Sequence, residues 1–474
     1  MPEETGANSG TLAPAKPTFV SSLANIISGQ IACALVALLT EVTYARFLGP
    51  ALRGLISLCL MSVGFGTLIG GLGGEGSIVF WSSRKNHADS FWLPAVVLWG
   101  MLGALLASAL WVLAYWGLRL PFLRGISPAS AGLVLANLPA AILFSYAMAL
   151  LTGAEEFRMR SGIALLRQVV GFLGYLLFLL FAGRSAEAAL WGYLIGLLTA
   201  GLAVIVLERR KLRGFWRIGA ASHNLKPTLL YGLRGHVGNL ATFFTYRLDV
   251  FVVNYFLPTA QLGFYALGVV ISESLWQIPQ AAASALFPRT ARTQERDAQE
   301  ASRFTCFVLR QVLLIACFCG LLLAALSPFA IPLIFGARFK SSVSVLLWIL
   351  PGTIALSLGK VACSDLAGRG KNGYSSVFAL ICFAITIGLD WFLIPRMGIL
   401  GAALASSVAY FVDAVLILTA LRYELRVTWK DLLVPTAEEF VSYRSAWNRV
   451  TASVRSSIPR KTELPAGLFS LRGE

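Results

Sequence analysis

A chain of 474 residues in which 57% are hydrophobic and only 13% charged has too little polar surface for a soluble domain of that size. Its net charge of +16 does not call for nucleic acid, because the basic residues lie in loops between apolar runs and form no basic folded domain. The seven cysteines sit in or beside apolar runs without a C-x-x-C pair. The three histidines are scattered, and no H-E-x-x-H, G-x-S-x-G or Gly-rich phosphate loop occurs, so the sequence offers no hydrolase, metal-enzyme or ATPase chemistry. A non-enzyme without metal or cofactor is expected.

Residues 1–18 are acidic and rich in Gly, Ser and Pro, with no A-x-A-like cleavage site, and are expected to be a disordered cytoplasmic tail rather than a signal peptide. Apolar stretches of crossing length follow at roughly 19–45, 53–74, 91–116, 129–153, 162–183, 186–207, 228–256, 262–287, 304–326, 342–366, 374–394 and 398–421. The expected fold is an all-α polytopic membrane protein of about 12 transmembrane helices. Its layout is an N-terminal six-helix lobe over 19–207, a basic cytoplasmic linker over 208–227, a C-terminal six-helix lobe over 228–422 and a cytoplasmic tail over 423–474. In that tail Phe440, Tyr443, Trp447, Val450 and Val454 keep a helical period, and Thr436 with Glu439 has the form of a capping box. An interfacial helix on the anionic inner leaflet is expected there, with a partner-docking helix as the alternative.

Lys and Arg fix the expected orientation. One side holds Arg84, Lys85, Arg158, Arg160, the linker cluster from Arg209 to Lys226, Arg289, Arg292, Arg296, Arg303 and the basic tail. The other holds Arg46, Arg53, Arg119, Arg124, Arg184, Arg338, Lys340 and Arg396, so the positive-inside rule puts both termini in the cytoplasm of a cell (inner or plasma) membrane.

The halves repeat. Phe47, Leu48, Ala51 and Gly54 match Phe256, Leu257, Ala260 and Gly263; Leu151 and Gly153 match Leu366 and Gly368; Ala188-Ala189-Leu190 matches Ala402-Ala403-Leu404. Six spans bring the second copy in from the same side as the first, so the repeats are parallel and two lobes are expected to flank a central cavity.

Ala45-Arg46-Phe47-Leu48-Gly49-Pro50 followed by Gly54 resembles the first-loop signature of the polysaccharide exporters, the O-antigen-flippase (Wzx-like) branch of the multidrug/oligosaccharidyl-lipid/polysaccharide flippase superfamily. Arg247-Leu248-Asp249, Leu262-Gly263-Phe264-Tyr265-Ala266, Ile278-Pro279, Leu286-Phe287-Pro288, Ile334-Phe335-Gly336, Leu350-Pro351-Gly352, Gly368-Arg369-Gly370-Lys371 and Gly398-Ile399-Leu400-Gly401-Ala402-Ala403 resemble the same family, in order, across 19–422. One departure is Arg53, where an acidic residue or Tyr is common. The resemblance implies a MATE-like two-lobe fold. It also implies a flippase that carries an undecaprenyl-pyrophosphate-linked oligosaccharide from the inner to the outer leaflet, with the lipid-linked substrate, membrane lipids and polysaccharide-assembly proteins as partners.

Carrying sugars and phosphates through hydrocarbon requires a hydrated, polar-walled cavity with cations for the phosphates. Polar residues recur at helical spacing in three spans: His236, Asn239, Phe243, Arg247 and Asn254; Glu273, Gln277, Gln280 and Ser284 beside Trp276; Thr353, Ser357, Lys360 and Ser364. The candidate substrate contacts are Arg247, Lys360, Asn239, Gln277, Gln280 and Trp276, expected in a cavity between the lobes. Glu273 and Asp249 are candidates for coupling to an ion gradient or the membrane potential, the ion being unspecified. Interhelical hydrogen bonding is the competing role for Ser and Thr. Arg247 and Asp249 point about 200° apart on one helix, so Asp249 is expected to answer a neighbouring helix. Arg167, Arg234 and Arg310 are close enough to helix ends to snorkel, and Asp365, Asp390 and Asp413 read as structural or interfacial.

Three functional classes remain: the flippase, a multidrug or cation antiporter of the related branch, and a membrane polysaccharide polymerase or glycosyltransferase. An antiporter should centre on acidic residues, whereas Arg247 and Lys360 accompany Glu273 here. An enzyme should carry a long outer loop or a carboxylate cluster, and no outer loop is long.

Overall fold

The computed structural model describes residues 19–83, 92–207, 221–293, 297–371 and 373–435. The N-terminal tail, most of the basic linker and the capping-box segment from Thr436 onward lie outside the described residues.

The first lobe starts with α1 (Phe19–Thr43), which passes through a π-helical turn (Tyr44–Leu48) into α2 (Gly49–Gly71). Leu72 and Gly73 are both left-handed and re-aim the chain into α3 (Gly74–Ser82). Then come α4 (Trp92–Val112), α5 (Pro128–Gly153), α6 (Phe157–Ala182) and α7 (Ala186–Leu207). Ser127 caps α5 by accepting a hydrogen bond from the Ser130 amide at 3.0 Å, with Pro128 pre-set in the first turn.

The second lobe holds α8 (Ala221–Phe256), α9 (Thr259–Glu273), α10 (Gln277–Thr293), α11 (Ala298–Phe335), α12 (Ser341–Gly368), α13 (Gly373–Met397), α14 (Ile399–Leu425) and the short α15 (Trp429–Leu433). α9 and α10 are one crossing split by a 3₁₀ turn over Ser274–Trp276. The break follows from Pro279, whose ring would clash with the carbonyl of Leu275 in a continuous helix.

Among the described residues nine stretches are long and apolar enough to cross a membrane, and one of them, Gly29–Gly71, contains the later part of α1 together with α2. The remaining crossings are α8, which carries His236, Asn239, Arg247, Asp249 and Asn254, and the split α9–α10. Helices thus stand at all twelve positions expected from the sequence. α8 and α9–α10, which fall short of an apolar span, carry two of the three polar stripes, while α12 with the third qualifies.

Within the lobes α6 packs along α7 and α12 along α14, at backbone distance. A Cβ on Gly192 would come within 2.5 Å of the Gly171 carbonyl, and the Gly352 amide donates to Ser407 Oγ at 2.9 Å. Arg53, the departure noted above, is buried and gives both Nη2 (2.7 Å) and Nε (3.1 Å) to one oxygen of Glu41, which closes α1 onto α2.

The lobes meet mainly through α2 on α9 and through α3 and α4 on α8. On the face that carries Arg46, its Nε donates to the Ile334 carbonyl at 2.7 Å and Arg124 Nη2 to that of Leu257 at 2.7 Å. Asn254 returns bonds to the carbonyls of Phe122 (2.9 Å) and Arg124 (3.1 Å). Midway, Phe65 of α2 sits against Phe243, Phe244 and Phe251 of α8. Toward the opposite face, which carries Asp297, a Cβ on Gly73 would lie 2.1 Å from the Gly232 carbonyl.

Candidate functional site

The polar residues of α8, α9 and α12 gather inside the second lobe. A cavity of about 490 Å³ is enclosed by α8, α10, α12, α13 and α14, and Lys360, Gln280, Thr242, Tyr246, Ser364 and Asp413 are among its walls. It lies to one side of the expected position between the lobes, because the flank of α8 that faces α2 is filled by the Phe65 cluster.

Lys360 enters this cavity from α12. Its Nζ stands 4.2 Å from the centre of the Trp276 ring and 5.1 Å from that of Tyr246, two cation–π contacts that hold an ammonium away from water without neutralising it. Tyr246, Trp276 and Tyr410 form a ring trio with centroid separations of 5.4–6.0 Å. Trp276 can reach this position because the 3₁₀ turn rotates it relative to a regular helix, which connects Pro279 to the placement of Lys360.

Arg247 is not a free cation. Its Nη2 meets Glu273 Oε2 at 2.8 Å across the α8–α9 contact, with the two side chains 26% and 13% exposed, and the other carboxylate oxygen of Glu273 is buried without a partner. The sequence reading required these two mid-span charges to pair or to face water, and they pair with each other. Asp249 points away, as its two-residue offset from Arg247 predicts. It accepts from the Val250 amide (2.7 Å), from Ser406 of α14 (3.2 Å) and from the Tyr265 hydroxyl of α9.

The structure therefore brings Lys360, Trp276 and Gln280 to one cavity, with Arg247 and Glu273 in electrostatic reach of Lys360. Asn239 and Gln277 are exposed and do not line that cavity. Thr353 and Ser357 are fully buried and bond back to the carbonyls of Ile349 and Thr353, so the α12 stripe is polar in composition but spent on its own helix until Lys360. Arg167 stays among rings, 5.5 Å from Phe144 and 5.6 Å from Tyr193, instead of reaching a helix end.

Two acidic residues gain importance. Asp413 lines the cavity opposite Lys360 and lies 3.7 Å from the Cys382 thiol. Asp390 of α13 is fully buried with neither carboxylate oxygen partnered, and it stands in the field of Asp249. Their position inside apolar spans is the available signal, since an intramembrane carboxylate is costly unless it has a task. Among the described residues no group of three or more His, Cys, Asp or Glu is placed to hold a metal ion.

Parallel six-helix lobes of apolar helices with charged residues inside the second define a polytopic membrane protein of the flippase and multidrug-transporter fold. Residues 43–344 match the sequence model of the polysaccharide biosynthesis protein family, and the chain belongs to that family.

Two curated relatives are similar over 241 residues. A Haloferax volcanii protein named as a low-salt glycan biosynthesis flippase is 23% identical, the match covering 50% of this chain and 49% of that protein. A Shigella flexneri protein named as an O-antigen transporter is 24% identical, covering 49% and 56%. The match thus spans about half the length of these relatives. Among solved structures, the lipid II flippase MurJ in an inward closed conformation superposes with a TM-score of 0.68 over 86% of this chain and 88% of that one, at 15% identity. An inward-facing MATE-family multidrug transporter superposes at 0.64 over 85% and 98%, also at 15% identity.

Proposed function

We propose that this chain is a non-enzymatic flippase that moves a polyprenyl-pyrophosphate-linked oligosaccharide from the inner to the outer leaflet of a cell membrane. The observation that carries this reading is Lys360, an intramembrane cation held by two aromatic rings at a roomy cavity whose walls mix polar and apolar side chains. It supplies a mobile positive charge for a phosphate, and the rings offer flat faces for a sugar. Gln280 and Thr242 supply hydrogen bonds on the same walls. Arg247 is the second cation: a phosphate that reaches it would replace the Glu273 carboxylate as the anionic partner of its guanidinium. Asn239 and Gln277 would meet only the part of the headgroup that lies outside this cavity.

The lipid tail stays in the bilayer, and transport follows from the lobes separating first at one face and then at the other. The Arg46, Arg124 and Asn254 bonds close the face that the charge asymmetry assigns to the outside, and both termini are then cytoplasmic. For coupling to an ion gradient the candidates are Asp390, a buried carboxylate without a partner that has most to gain from a proton or cation, and Asp249, whose charge stands in the same field; Glu273 is the alternative. Enzymes that build and polymerise the oligosaccharide are the expected partners.

The test is surface polysaccharide in cells whose own flippase is deleted, complemented with the wild-type chain, Lys360→Met and Lys360→Arg, with membrane protein level measured in parallel. Loss of polymer in Met at normal protein level, with partial recovery in Arg, supports a phosphate contact. Full activity of Lys360→Met would reject it.

A further inference from the structure

Away from the transport cavity, the Asp297 face of the second lobe carries a basic cleft of about 690 Å³ between the start of α11 and the ends of α12 and α14. Arg303, Arg310, Arg369 and Arg426 line it against two carboxylates, Glu424 and Asp431. Both carboxylates are engaged elsewhere. Glu424 binds Lys371 (3.3 Å) and the Tyr374 hydroxyl (3.2 Å), while Asp431 accepts from the Thr428 amide and hydroxyl in a capping box.

Arg310 donates Nη1 to the Asp431 carbonyl, whereas Arg369 is incompletely answered. Arg369 gives Nε to Asp365 at 2.6 Å, with its side chain 5% exposed, but its Nη2 is buried without a partner. Such an atom at a cleft wall is a standing donor for an anion. Arg426 ends α14 with φ +55°, a conformation that Gly or Asn adopts at lower cost, yet the long cation is what stands there.

A second cleft of about 570 Å³ adjoins the first and shares Glu424, Arg426 and Val427 with it. It continues along α14 past Arg422 to Thr419, beside Tyr423, which is 79% exposed. Arg422 lies over the Trp429 ring at 5.4 Å. Exposed Tyr and Trp beside arginines mark the headgroup level of a bilayer. A cleft that is cationic at one end and runs along a lipid-exposed helix at the other fits an amphiphile better than a free ion.

We propose that this double cleft binds the phosphate of an anionic membrane lipid, clamping α14 and α15 to α11 and α12. Arg303, Arg369 and Arg426 would hold the phosphate, and the chains would follow α14. The site is separate from the transport cavity, so it stands or falls independently of the flippase reading.

The test is thermal unfolding of the purified full chain in neutral detergent at low salt, with added phosphatidylglycerol, phosphatidylcholine or inorganic phosphate. Phosphatidylglycerol should raise the midpoint by about 3 °C or more, a shift typical of a site occupied well above its Kd, and 0.5 M salt should remove most of it (about 3 Å screening length at 1 M). Phosphatidylcholine and inorganic phosphate should not reproduce it. The variant Arg303→Gln/Arg426→Asn, at exposed positions and with Asn suited to the left-handed cap, should keep the lipid-free midpoint and lose the shift. An equal rise with phosphatidylcholine, an equal rise with inorganic phosphate, or a full lipid shift in the double variant would each overturn the proposal.

Discussion

Gly54 and Gly263 hold corresponding positions in the two halves and press against each other's helix: a Cβ on Gly54 would lie 2.0 Å from the Thr259 carbonyl, and one on Gly263 2.0 Å from that of Pro50. Pro50 and Thr259 correspond by the same offset, so the contact is reciprocal about the repeat axis. The matched motifs of the sequence are therefore two sides of a single crossing between the lobes, where only glycine lets the backbones touch. Replacing either glycine by Ala should hold the lobes apart at this face. We expect at least about tenfold less surface polysaccharide at normal protein level, and increased labelling of a cysteine placed at Leu262, with Gly263→Ala matching Gly54→Ala. Unchanged labelling in both variants would remove the crossing from the transport cycle.

The Arg247–Glu273 pair allows folding and transport to be separated. Arg247→Ala leaves a mostly buried carboxylate unpaired and should cost about 2–4 kcal/mol, somewhat less than a fully buried pair because Arg247 keeps 26% exposure. The exchange Arg247→Glu/Glu273→Arg should recover most of that stability in thermal unfolding. If transport stays absent while stability returns, the cation is required on α8 for more than folding.

Trp276 positions Lys360 through its ring face. Trp276→Leu removes the shorter cation–π contact and should lower transport several-fold with little change in protein level, the contact being worth roughly 0.5–2 kcal/mol. Trp276→Phe should retain most activity. Equal loss in Phe and Leu would point to shape instead of ring electrostatics.

Asp390→Asn tests coupling. Removing a buried unpartnered charge should not destabilise the chain, whereas flipping assayed in vesicles should lose its dependence on an imposed proton or sodium gradient. A gradient dependence identical to wild type would clear Asp390 of that role and leave Asp249 and Glu273.

At the other end of the size scale, Asp297 caps α11 by accepting from the amides of Gln299 (2.8 Å) and Glu300 (3.0 Å), and these bonds hold its carboxyl below the ordinary value. A depressed pKa means that the cap is fully present at neutral pH and fades only as pH falls below the usual carboxylate range. Asp297→Ala should speed hydrogen exchange at residues 299 and 300 at pH 7, and its difference from wild type should shrink only as pH falls below the usual carboxylate range.

The sequence by itself determined what depends on period and composition. Crossing length identified the helices, the recurrence of Phe47–Gly54 as Phe256–Gly263 implied parallel lobes, and the mid-span placement of Arg247 and Glu273 with the polar stripe that carries Lys360 marked the second lobe as the polar one. The angular offset of Asp249 from Arg247 was enough to place it on other helices. What only the tertiary structure decided is which polar residues share a space. That Arg247 is neutralised by Glu273, that Asn239 and Gln277 lie outside the cavity, that Asp413 lines it and that Asp390 is left unpartnered all depend on how one helix is rotated against its neighbours. Helical spacing fixes a residue's direction about its own axis only. Where that direction leads is set by close contacts such as Gly352 on Ser407, and by the break before Pro279 that turns Trp276 onto Lys360.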